Sequence, residues 1–230
     1  MNVVAALFRS SLGRKYIMAL TGLGMFAFVV GHMLGNLQVF IGPESINRYG
    51  AFLKSLGELL WVARIGLIVL VVLHIWSAIT LSRENKAARP VAYANYNPTV
   101  ASYASRTMLM SGLIIASFVV YHLLHYTALV KEINLTGVDF SQLHDEKGRH
   151  DVYRMIVTGF KNPFVSLFYI VGMVLLSLHL SHGVSSLFQS LGLKGRNYKQ
   201  WIDGFAKLIA VVLLVGYCSI PVAVLLGVVK

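Results

Sequence analysis

The sequence predicts an all-α integral membrane protein with five transmembrane helices: a four-helix core and a fifth helix beside it. Three observations predict it. Of the 230 residues, 57% are hydrophobic and only 13% charged, with a mean hydropathy of +0.69; a soluble domain carries about a quarter charged residues. Five apolar runs reach the roughly 20 residues needed to cross a hydrocarbon core. Four of those runs carry a histidine at one of two depths.

The runs are about 16–40, 61–81, 107–130, 164–191 and 205–229, and the whole of 1–230 reads as one transmembrane domain. Three basic residues precede the first run: Arg9, Arg14 and Lys15. That run is too long for the apolar segment of a cleaved signal, so it is expected to stay as a helix. The connection 41–60 carries Ile46, Tyr49, Leu53 and Leu56 at three-to-four spacing, which predicts a short helix lying on the membrane surface. The connection 82–105 holds Pro90, Pro98, Tyr93, Tyr96 and Tyr103 and is long enough to be a docking surface. The connection 131–163 is polar, with a short helix expected near 151–160; Pro163 breaks the chain before the fourth run. Pro221 is expected to kink the fifth run, where a membrane helix tolerates it.

Five crossings put the chain ends on opposite sides. The side holding the N-terminus carries eleven Lys and Arg against eight in the opposite connections, or nine with Lys230, and two acids against seven. The positive-inside rule then places the N-terminus in the cytoplasm, and a bacterial inner membrane is the expected location. The net charge of +11 is thereby read as orientation, and nucleic acid is not an expected partner. One cysteine, Cys218, excludes a disulfide framework.

His32 lies eight residues before the outer end of the first run and His122 eight before the outer end of the third. His74 and His179 lie toward the inner ends of the second and fourth. Alternate crossings run in opposite directions, so these four residues form an outer layer and an inner layer on the order of 10–15 Å apart. Two opposed imidazoles at each of two depths suit two stacked haems with bis-histidine ligation, six-coordinate and tuned for electron transfer. His125 and His182 follow two of these histidines by three residues, and spacing leaves either member of each couple open as the ligand. Small residues that would give a porphyrin room are Gly31, Gly35, Ser77, Ala78, Ser117, Ser181 and Gly183; close helix packing explains Gly31 and Gly35 equally well. His144 and His150 fall in the polar outer loop, where solvation is expected. A non-haem di-iron oxidase would concentrate its histidines in one tight box, and a proton-coupled transporter would bury acids within its crossings. Neither pattern is present.

The residues carry a more specific likeness. Ser11-Leu12-Gly13-Arg14-Lys15, Gly31-His32 through Asn36-Leu37, Asn47-x-Tyr49, Leu73-His74, Tyr121-His122, Phe168-Tyr169-Ile170-Val171-Gly172 and His179-x-Ser181-x-Gly183 occur in order, each on the fitting run. Together they resemble the five-helix, di-haem cytochrome b membrane anchor of succinate dehydrogenase/fumarate reductase, over nearly the whole chain. The resemblance implies two haem b groups, with iron ligands His32 and His122 distal to the cytoplasm and His74 and His179 proximal to it. It favours His122 over His125 and His179 over His182.

It further implies an electron-transport relay. Succinate would be oxidised at a flavoprotein subunit, and electrons would pass through an iron–sulfur subunit docked on the cytoplasmic face and through both haems to a membrane quinone, menaquinone being the expected one. Assembly of whole complexes into a higher oligomer is also open. Arg14, Lys15 and Arg106 would pair with haem propionates. Candidates at the quinone are Glu58, Glu44, Asn47 and His125, because a quinone being reduced needs a proton donor. Ser177 stands where some members of the family carry a buried glutamate implicated in transmembrane proton transfer, so that pathway is not expected here. The alternative readings are a di-haem anchor serving another quinone-linked dehydrogenase, a non-haem metal enzyme and a transporter.

Overall fold

A computed structural model describes residues 3–88 and 103–230. Arg89, Pro90, Tyr93, Tyr96 and Pro98, from the expected docking surface, lie outside the described residues. The described chain is helical, with no β-sheet; a lone bridge joins His144 and His150.

In order the helices are α1 (Val3–Arg9), α2 (Ser11–Asn36), α3 (Pro43–Ser55), α4 (Glu58–Ala87), α5 (Tyr103–Arg106), α6 (Met108–Tyr126), α7 (Val152–Lys161), α8 (Pro163–Ser190) and α9 (Lys199–Leu225). Five of them, α2, α4, α6, α8 and α9, are long and apolar enough to cross a membrane, so the chain is a multi-pass membrane protein. Their ends differ from the apolar runs for a physical reason. Apolar windows mark the hydrocarbon depth, whereas a helix continues through the interface into polar residues. So α4 runs on through Ser82-Arg83-Glu84-Asn85-Lys86 to Ala87, and α9 starts at Lys199. The reverse holds at α6. It closes at Tyr126, where Ala128 and Val130 turn their N–H groups back to Leu123 and Leu124 and Leu129 adopts φ +55°. Leu129 and Val130 are apolar but not helical.

The helix starts are written in polar side chains. Ser10 Oγ accepts the Gly13 N–H at 3.0 Å and opens α2. Asp151 accepts the Arg154 N–H at 3.0 Å and opens α7. Asn162 accepts from Phe164 and Val165, with Pro163 at the first helical position of α8. The helix α9 passes through Pro221 without ending.

The chain divides into two compact units, whose boundaries fall inside the long helices. The first comprises Met1–Phe28, Ile65–Leu113 and Leu178–Ala210. In it α1 folds back on α2 at Gly13, whose position leaves no space for a Cβ beside the backbone of Leu7. The Phe8 and Trp76 rings meet at 5.6 Å. Arg14, buried to 8% exposure, forms an ion pair with Glu84 and donates to the Phe8 carbonyl at 2.9 Å. Lys194 and Ser185 both reach Asp203, at 2.6 and 2.5 Å, joining the ends of α8 and α9.

The second unit comprises Val29–Arg64, Ile114–Ser177 and Val211–Lys230. Its core contains Val39, Ile46, Phe118, Ile156, Val157, Phe160, Val165, Tyr169, Ile220 and Val224. The short helix expected after the first crossing is α3. Its inward face carries Ile46 and Asn47, both buried, and it packs against α7. Asn47 donates to Asp151 at 3.0 Å and accepts the Tyr153 N–H at 2.9 Å. Replacing Asn47 by Leu leaves that N–H and the carboxylate unanswered, and should cost about 1–3 kcal/mol, read as a lower thermal midpoint in detergent.

Glu44, in the first turn of α3, holds the outer loop through Arg149 at 2.7 and 3.2 Å and Lys147 at 3.1 Å. The hydrogen bonds from Arg149, then Lys147, lower its carboxyl pKa from 4.5 to about 2. A depressed carboxyl stabilises the fold above its unfolded pKa and loses that contribution as pH falls through the folded one. The loop should therefore loosen on α3 between pH 4.5 and about 2, and more readily in high salt, because Glu44 is exposed. Limited proteolysis of residues 131–151 across that window measures it.

Candidate functional site: paired histidines in each unit

In the first unit, α4 carries His74 and α8 carries His179. Their ring centroids are 6.5 Å apart and their planes 61° apart. Each Nδ1 is held by the same device. His74 Nδ1 lies 3.1 Å from the Met18 carbonyl and 3.2 Å from Thr21 Oγ1. A carbonyl only accepts, so Nδ1 carries the proton. Thr21 gives its own proton to the Ile17 carbonyl at 2.7 Å, which leaves its oxygen free to accept from Nδ1. On the facing side, Ser111 Oγ donates to the Met108 carbonyl at 3.2 Å and stands 3.4 Å from His179 Nδ1. His74 thus bears the proton on Nδ1 and presents its lone pair on Nε2, the form a metal ligand requires, and Ser111 Oγ is placed to accept the same proton from His179. Two glycines let the neighbouring helices close on these rings. A Cβ at Gly22 or at Gly112 would stand 3.3 Å from Cε1 of His74 or His179 respectively.

In the second unit, α2 carries His32 and α6 carries His122. Their centroids are 5.8 Å apart and their planes 80° apart. Tyr217 packs on His32 at 6.3 Å, and its hydroxyl donates to the Val29 carbonyl at 2.7 Å. The Tyr169 hydroxyl lies 3.4 Å from His122 Nδ1 and 3.0 Å from His125 Nδ1.

Each pair would offer a haem iron two imidazoles from different helices, with ring centroids 5.8 and 6.5 Å apart. Among the described residues no three His, Cys, Asp or Glu side chains gather to hold a bare metal ion. Pairs suit a porphyrin, which brings four nitrogens of its own.

A family comparison now bears on the chain. The model of the succinate dehydrogenase/fumarate reductase transmembrane subunit matches residues 82–218, more than half of the sequence. The chain belongs to that family. It is therefore a transmembrane subunit of the succinate dehydrogenase/fumarate reductase type. The match takes in His122 and His179 and begins after His32 and His74. Comparisons with curated proteins and with solved structures return no match.

The remaining expected site residues separate by environment. His125 is fully buried, stacked on Tyr126 at 4.0 Å and on Phe140 at 5.7 Å. His182 engages Ser186 through Nε2 at 2.9 Å. In each couple the residue facing the other helix's histidine is the one favoured by the family resemblance. Arg14 engages Phe8 and Glu84 through its two terminal nitrogens and keeps a buried Nε without a hydrogen-bond partner, whereas Lys15 and Arg106 are exposed. Glu44 and Asn47 spend their polar atoms on the outer loop and α7, and Glu58 stands exposed at the start of α4. Of the small residues expected to make room, Gly35 instead packs on the Tyr49 ring, and a Cβ at Gly31 or Gly183 would meet nothing within 4 Å.

Thr21, Ser111, Gly22, Gly112 and Tyr169 had no assigned part in the sequence. Thr21 and Ser111 share one usable signal: each is a hydroxyl within an apolar run, on a different helix from its histidine.

Proposed function

We propose that the chain is the membrane anchor and electron-transfer subunit of a succinate:quinone oxidoreductase, with two haem b groups in a single transmembrane domain of four haem-binding helices and a fifth. His74 and His179 would hold the haem nearer the cytoplasm, and His32 and His122 the distal one. The observation that carries the reading is the pairing of four imidazoles across helices, three of them with Nδ1 engaged so that Nε2 is left for iron. Each haem, when bound, supplies a one-electron couple at a six-coordinate iron.

The chain's own residues do the rest. Thr21, the Met18 carbonyl and Ser111 fix the inner tautomers. The four rings are half-buried between apolar helices. Lys15, Arg106 and the unpartnered Nε of Arg14 would meet propionates, and the basic N-terminal side would lie in the cytoplasm of a bacterial cell against an iron–sulfur subunit that itself carries the flavoprotein. Quinone, menaquinone in this reading, would meet the second unit. His125 is favoured there alongside Glu58. Its Nε2 has no hydrogen-bond partner, and Tyr121, 5.4 Å from it, lines an apolar cleft of about 250 Å³ with Leu135, Phe164, Val165 and Phe168.

The test is haem content per chain and a reduced-minus-oxidised spectrum of the purified protein, with its co-purifying subunits identified. Two b-type haems with an iron–sulfur protein and a succinate-active flavoprotein are expected. No haem would overturn the reading. A flavoprotein inactive on succinate would move the chain to another quinone-linked dehydrogenase.

A further inference from the structure

We propose that Tyr169 and His125 form a hydrogen-bond relay behind His122, and that this relay sets the redox potential of the outer haem. The inference rests on His122 being an iron ligand.

Tyr169 is 6% exposed, and its ring is fixed by edge contacts to Phe160 at 5.0 Å and Phe118 at 5.1 Å. Its hydroxyl has one proton and lies between two imidazole nitrogens, 3.4 Å from His122 Nδ1 and 3.0 Å from His125 Nδ1. Ligation of His122 through Nε2 puts its proton on Nδ1, and the acceptor beside it is the tyrosine oxygen. Tyr169 must then donate its own proton to His125 Nδ1, which is also the shorter contact. His125 in turn carries its proton on Nε2, the buried nitrogen without a partner. The three groups are thus ordered, His122 to Tyr169 to His125, with each tautomer set by the one before.

Such a chain polarises along its length. A tyrosine that donates onward is a better acceptor for what lies behind it. His122 becomes more electron-rich, which favours ferric iron and lowers the potential. At the inner pair the terminal acceptor is a backbone carbonyl in place of a second imidazole: Met18 faces His74 directly, and Thr21 and Ser111 pass their protons to Ile17 and Met108. Tyr169 is a positioning residue, acting on iron only through His122.

The experiment is a potentiometric titration of both haems in the full-length protein, comparing wild type with Tyr169→Phe and His125→Phe. The outer haem is identified as the one lost in His32→Ala. Tyr169→Phe should raise the outer midpoint and leave the inner one unchanged. His125→Phe keeps a flat ring against Tyr126 and Phe140, and should raise the same midpoint by less. Two retained haems with unshifted outer midpoints in both variants, a downward shift, or a larger effect from His125→Phe would overturn the relay. Should Tyr169→Phe lose haem, the upward shift in His125→Phe is still required. Wild-type protein without haem would instead overturn the functional reading on which the relay stands.

Discussion

Substituting His32 or His122 with Ala should remove or convert one b-type haem and leave the other intact, and substituting His74 or His179 should do the same to the other. The logic lies in the pairing. His32 faces His122 at 5.8 Å and His74 faces His179 at 6.5 Å, so each pair acts as one site, and either single substitution breaks it. A six-coordinate iron deprived of one imidazole becomes five-coordinate and high-spin, or the haem is lost. In either case about half of the low-spin absorbance disappears. Double variants within a pair should look like single ones, and double variants across pairs should lose both haems. His125→Ala and His182→Ala should retain both, because those rings lie against Tyr126 and Ser186. Reduced-minus-oxidised spectra with haem quantified per chain decide the matter. A spectrum in which His125→Ala behaves like His32→Ala would reassign the outer ligand. Equal loss of both haems in every single variant would show that the histidines hold the fold as a whole and not two separate sites.

The sequence made the histidine pairs legible because depth along a helix is linear in residue number. Counting from the ends of the apolar runs paired His32 with His122 and His74 with His179, and the rings meet in those pairs. Counting could not choose between His122 and His125, since residues three apart share a face. In the folded chain the His122 ring meets His32, while His125 lies against Tyr126 and Phe140; the His125→Ala spectrum decides which would hold iron. The short helices around the outer loop were readable from Asp151, Pro163 and the apolar stripe of α3. Helix ends were less so. At Leu129 an apolar residue closes a turn, and beyond Leu81 polar residues continue a helix, so hydropathy alone misplaces both boundaries. Glu44 and Asn47 looked like site residues because polar groups near a membrane face attract that reading. Their partners, Arg149, Lys147, Asp151 and the Tyr153 amide, lie about a hundred residues away and can be found only in the folded chain.

The inner pair offers the most selective test of the fold at the site. Gly22 and Gly112 belong to α2 and α6, and each sits over an imidazole on another helix, at the one edge where a Cβ would reach Cε1 at 3.3 Å. That distance is tighter than an ordinary van der Waals contact, and the ring cannot retreat freely. His74 is tethered by the Met18 carbonyl and Thr21, which belong to the same helix as Gly22. A Val at position 22 adds two methyl groups beyond that Cβ and must either rotate the imidazole off its acceptors or push α2 away from α4. Overpacking of this kind costs about 1–3 kcal/mol in a close-packed interior, and here the displaced group is the proposed ligand itself. Gly22→Val and Gly112→Val should therefore each deplete the inner haem while sparing the outer one, as seen in haem stoichiometry and in the split of the two midpoints. Gly22→Ala should fall between, because one carbon meets the ring without passing it. Gly204→Ala serves as the control: it is exposed on α9, which carries none of the paired histidines, its Cβ would meet nothing within 4 Å, and it should leave both haems in place. Loss of both haems in Gly22→Val, with α-helical content unchanged, would mean that the two pairs do not load independently.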